Sequence, residues 1–294
     1  MQGETTASIL TWAAAAAALL AVGPVVGWLA GWTATPDGSA LDSVFTSERP
    51  VLAALATALA VALVAALGLV VRHPLTKRYA LFSMGLALFW LAFSSPRLET
   101  LVYEAPPEAA LTRLALDAVF LLLLILPAVA LVLSGDRPTG RFAHHKHTDP
   151  DPAPITDSDS IFGLVAAAIA ALLGAWLVAQ SGLRGQTLAA ALAGGILAGG
   201  AVRLVFQRAQ PIVPVAGVLL AGVAAPLIAR FSLPADALAA VYAGDVFNAA
   251  RLAPADWAVG ALAGVAAGQY FALSLIDHSP HHEHATKPAA KTAR

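Results

Sequence analysis

The sequence predicts an all-α integral membrane protein: eight transmembrane helices arranged as two parallel four-helix repeats (4+4), with short periplasmic interfacial helices. Three observations carry this. Of 294 residues, 59% are hydrophobic and only 12% charged, with a mean hydropathy of +0.75; soluble domains carry roughly a quarter charged residues. Eight apolar stretches can each cross about 30 Å of hydrocarbon as a helix. One set of polar landmarks occurs twice, once in each half of the chain.

The spans fall at 8–32, 50–71, 79–93, 112–134, 160–180, 186–206, 211–231 and 255–276. Lipid cannot satisfy backbone N–H and C=O groups, so stretches of this kind cross as helices. The third is the shortest and draws on Lys77–Ala80 and Ser94 at its ends. The first is expected to stay as an anchor, because its lead-in, Met1–Ala7, has no basic residue and its apolar run outlasts a signal core. Pro24 and Pro127 fall inside spans and are expected to bend them.

Lysine and arginine set the orientation. One face collects eleven of them, including Arg72, Lys77, Arg78, Arg137, Arg203 and Lys287; the other collects six, Arg49, Arg97, Arg113, Arg184, Arg230 and Arg251. The richer face is read as cytoplasmic, with both termini inside the cell and the chain in the inner (cytoplasmic) membrane of a bacterium. Trp28, Trp32, Trp90, Trp176 and Trp257 fall near the outer ends of their spans, where an amphipathic ring favours the interface.

The repeat rests on landmarks rather than on overall composition. Phe93-Ser94-Ser95-Pro96 matches Phe231-Ser232-Leu233-Pro234, Val102-Tyr103 matches Val241-Tyr242, and Arg113-Leu114-Ala115 matches Arg251-Leu252-Ala253. Asp117 and Asp256 follow, then Ala118-Val119 and Ala258-Val259. An even number of spans per copy gives both copies the same sense, related by an axis along the membrane normal. The division is then a first repeat over 1–134, a Pro/Asp/His-rich cytoplasmic linker over 135–159, a second repeat over 160–277 and a His-rich cytoplasmic tail over 278–294.

Between spans three and four, and seven and eight, the loops at 95–111 and 233–254 read as interfacial helices started by Pro96 and Pro234. Leu98, Leu101 and Val102 share one face, as do Leu238, Val241 and Tyr242; Tyr103 and Tyr242 read as interface anchors. Small residues recur at every fourth position: Gly23, Gly27 and Gly31; Gly195 and Gly199; Gly260, Gly264 and Gly268; Ala54 to Ala66. Such ridges let helices approach closely in lipid, within one chain or across a homodimer seam.

Chemistry is sparse. A net charge of −1 gives no basis for a nucleic-acid partner, and there is no cysteine. No GxSxG, HExxH, GxxxxGK[ST] or dinucleotide-binding GxGxxG pattern occurs, so no enzyme is expected. Arg113 with Asp117 and Arg251 with Asp256 form a candidate outer access site, each aspartate beginning an outer-end helix near an arginine. His144, His145, His147, His281, His282 and His284 form a second candidate, able to chelate a divalent metal such as Zn, Ni or Cu. Two functions fit: a permease moving a small, weakly polar or lipid-like solute between the halves, or a non-catalytic structural subunit of a membrane complex.

Overall fold

The computed structural model describes residues 2–33, 44–45, 47, 49–73, 75–134 and 156–277. Among these there is no strand, and eight helices are long and apolar enough to cross a membrane. The chain is a multi-pass, all-helical membrane protein. The linker, the tail and all six candidate metal-binding histidines lie outside the described residues.

The first span combines α1 (Gln2–Ala17), a π-turn (Ala18–Val22) and α2 (Gly23–Ala30). Then follow α3 (Pro50–Arg72), α4 (Lys77–Ser94), the single turn α5 (Leu98–Leu101) and α6 (Pro107–Leu133). The second half comprises α7 (Ser158–Val178), α8 (Arg184–Val205), α9 (Ile212–Phe231) and α10 (Ala237–Ala243). A 3₁₀ turn (Asn248–Arg251) leads into the eighth span, made of α11 (Pro254–Val259), a π-turn (Gly260–Gly264) and α12 (Val265–Asp277).

Packing follows a regular scheme. The first span packs on the third and the fifth on the seventh; the second packs on the fourth and the sixth on the eighth. Between the halves, the fourth span packs on the seventh and the third on the eighth. Exchanging the labels of the two halves leaves this scheme unchanged. One apolar cluster runs through both halves, and a smaller one caps the short-helix end, joining Leu98, Leu101 and Leu111 to Ala240, Val241 and Ala250.

The glycine ridges are used inside the molecule. A Cβ on Gly195 would overlap the Gly260 carbonyl, one on Gly199 the Val265 carbonyl, and one on Gly268 the Ile196 carbonyl. Spans six and eight therefore touch backbone to backbone, which only glycine at these positions permits. Gly85 meets Ala263 in the same way across the two halves. By contrast Ala62 and Ala66 are exposed, so the alanine stripe of α3 turns outward.

The π-turn of the first span has a readable cause. Gly23 N–H bonds back to Ala18 O, five residues earlier, and Pro24 has no N–H to offer Leu19. The Leu19 carbonyl is thereby left without a helical donor. Trp90 Nε1 of the third span supplies one at 2.8 Å. Gly23 makes room for that indole, since a Cβ there would overlap Trp90.

Several expectations need correction. Trp257 is 1% exposed and packs against Gly222, so it is a core residue rather than an interface anchor. Trp90 is likewise engaged internally. Asp117 does not begin a helix; α6 starts at Pro107 and runs through it. The helices predicted over the two connecting loops shrink to α5 and α10, and neither Pro96 nor Pro234 starts one, because α10 begins after Asp236, whose side chain caps it. The buried face of α10 is Ala237, Ala240 and Val241, while Leu238 and Tyr242 point outward.

Candidate functional site

The two Arg/Asp motifs share a sequence but not a local structure. In the second, Pro254 stands between Ala253 and Asp256 and forces Ala253 to be extended (φ −67°, ψ 154°). Helix α11 therefore starts at Pro254, and Asp256 sits in its first turn, where Oδ2 accepts from Ala253 N–H at 2.9 Å. This is a helix N-terminal cap, with the carboxylate at the positive end of the dipole. The first motif has no proline there. Its helix runs on from Pro107, and Asp117 Oδ1 instead accepts from Phe45 N–H at 3.2 Å, holding the connection between the first and second spans.

Neither aspartate pairs with the arginine of its own motif. Arg251 donates from Nη1 to Gln180 O at 2.9 Å and from Nη2 to Gly244 O at 2.6 Å. It fastens the end of the fifth span to the turn after α10, where Gly244 adopts φ +83° and a side chain would collide with the guanidinium. Arg113 is half-buried in α6, and among the described residues no hydrogen bond or ion pair joins it to Asp117. Asp117, Arg251 and Asp256 thus each hold a different backbone group.

The cation facing Asp256 is Arg184, the first residue of α8, whose carbonyl accepts from the Thr187 hydroxyl at 3.1 Å. Arg184 lies 5.0 Å from the Phe93 ring centroid, which couples the sixth span to the third. No spacing rule links residues 93, 184 and 256, so sequence reasoning missed this group. Tyr103 and Tyr242, matched in the sequence, meet each other with ring centroids 5.8 Å apart.

Asp117 is 4% exposed and lines a cleft of about 60 Å³ with Thr57, Ser94 and Ser95, closed on one side by Pro254 and Ala255 of the eighth span. That is room for one or two waters. Among the described residues no group of three or more His, Cys, Asp or Glu side chains could hold a metal ion. No protein-family model, curated protein or solved structure matches the chain.

Proposed function

We propose that this protein is a non-catalytic structural subunit of a membrane assembly, built from two copies of one four-span unit lying side by side in the same sense. The observation that carries this reading is the seam between the halves. Gly85 meets the Ala263 backbone directly, and the pairs of spans four with seven and three with eight close around it. Alternating access would require one half to rock against the other. Here that motion would have to part backbone contacts that have no side chains to rearrange.

Support for the two copies comes from the packing scheme that survives exchange of the halves and from the contact of Tyr103 with Tyr242. Equivalent residues that touch must straddle the axis relating them. The lysine and arginine distribution favours a cytoplasmic position for both termini.

A permease is the second reading, and one observation favours it: Asp117, buried at the short-helix end, faces a small cleft that it shares with Thr57, Ser94 and Ser95 and with the eighth span. One experiment separates the two. Leu88 and Leu262 are fully buried within spans three and eight. Because the chain has no cysteine, Leu88→Cys or Leu262→Cys creates a single thiol. A water-soluble maleimide applied to either side of the membrane should leave both unmodified while modifying Tyr103→Cys, whose parent side chain is 78% exposed. Rapid labelling of Leu88→Cys or Leu262→Cys in a protein of unchanged gel-filtration profile would reject the structural reading and select the permease.

A further inference from the structure

At the short-helix end, a depression of about 290 Å³ separates the halves, with Arg97, Glu99, Thr100 and Tyr103 on one side and Ser181, Gly182 and Leu183 on the other. It is large enough for a small molecule or a lipid headgroup. Its two charges are opposite, yet they do not pair. Among the described residues the Arg97 side chain has no hydrogen-bonding or ionic partner, and Glu99 Oε2 is enclosed without one. An ammonium group in the depression, which Glu99 lines, would offset the charge of this donor-less carboxylate.

Two neighbours keep the carboxylate available. Gly182 lies beneath it, and a Cβ there would come within 2.5 Å of Glu99 Oε1. Arg184, which could otherwise neutralise it, is held over Phe93 on the side of Asp256. The Tyr103 and Tyr242 pair adds aromatic faces beside the depression, and such faces also favour ammonium groups. A carboxylate and a guanidinium held apart in one depression complement a molecule carrying both an acid group and an ammonium group.

We propose that this depression binds a zwitterion, the ammonium on Glu99 and the acid group on Arg97. The same chemistry belongs to a free small zwitterion and to the headgroup of an ethanolamine phospholipid. The test uses the full chain and two probes: phosphoethanolamine by calorimetry, and lipid retention from phosphatidylethanolamine or phosphatidylglycerol nanodiscs by native mass spectrometry. Glu99→Gln preserves shape and Arg97→Gln keeps a shorter polar side chain without charge, and unchanged melting without probe shows that they fold.

Binding of phosphoethanolamine, weakened about tenfold or more in either variant, supports a soluble zwitterion. Selective retention of the ethanolamine lipid, lost in both variants and without binding of the soluble probe, supports the headgroup. Inorganic phosphate binding equally well with Glu99→Gln unaffected would overturn the proposal, as would the absence of both binding and lipid preference.

Discussion

In spans five to eight, glycines bring backbones together. Gly174 and Gly194 join the fifth span to the sixth, and the Gly195, Gly199, Gly260, Gly264 and Gly268 series joins the sixth to the eighth. In spans one to four, side chains reach for carbonyls instead. Trp90 serves Leu19, Arg72 serves Leu131 and Val132, and Lys77 serves Leu133 at the C-terminal end of α6. Only 17% of the first span's apolar window is buried, against 61% of the eighth's. Two stretches of similar landmarks thus pack by different means: close approach has little tolerance for added atoms, whereas side-chain ties tolerate adjustment and can be removed singly.

Glycine substitutions should expose this contrast most strongly. Gly195→Ala places a methyl group against the Gly260 carbonyl, where backbone on both sides must move. The expected cost is about 3 kcal/mol or more, visible as a large drop in melting temperature in detergent. Gly31→Ala, with nothing within 4 Å of the new Cβ, should be neutral or slightly stabilising, by up to about 1 kcal/mol. Equal effects at the two positions would erase the distinction between the halves.

Removing a side-chain tie should cost less. Trp90→Phe keeps much of the ring but leaves the Leu19 carbonyl without its donor, for an expected loss of about 1–2 kcal/mol. Faster amide exchange around Ala18–Val22 should accompany it. The two aspartates should also separate. Asp256→Ala removes a helix cap and should cost about 1 kcal/mol, whereas Asp256→Asn retains an acceptor and should cost less; thermal melts of both variants measure this. Asp117→Ala removes the acceptor for Phe45 N–H and should chiefly loosen that segment, read as increased protease sensitivity there.

The smallest effect is a titration. The hydrogen bond to Tyr103 raises the Tyr242 phenol above its ordinary value of 10.0. A raised phenol favours the folded protein below the ordinary value, and that contribution is lost as pH rises through the folded one. In Tyr103→Phe, ultraviolet titration should show Tyr242 ionising at lower pH than in the native chain.

The spans were legible because eight long apolar runs in lipid admit few structures other than helices. Their positions agree with the observed helices to within a few residues, apart from an earlier start of α6 at Pro107. The site was less legible, for a physical reason. The Arg-Leu-Ala and Asp landmarks gave no sign that one extra proline, Pro254, would turn Asp256 into a cap while its counterpart became a mid-helix anchor. Trp257 shows the same limit. Its indole is buried because Gly222 lies opposite on another span, a partnership that no local pattern contains. Arg184 found Asp256 and Phe93 through tertiary packing alone.

The central claim is that the halves form one fixed body, closed along the Gly85 and Ala263 seam. Val70 and Val205 are exposed near the ends of spans two and six, one in each half. With no native cysteine, Val70→Cys/Val205→Cys can be spin-labelled cleanly in lipid nanodiscs, and pulsed electron resonance then reads the distance between the halves. A single narrow distance distribution is the expected result. Two resolved populations, showing that the halves exchange between arrangements, would contradict it.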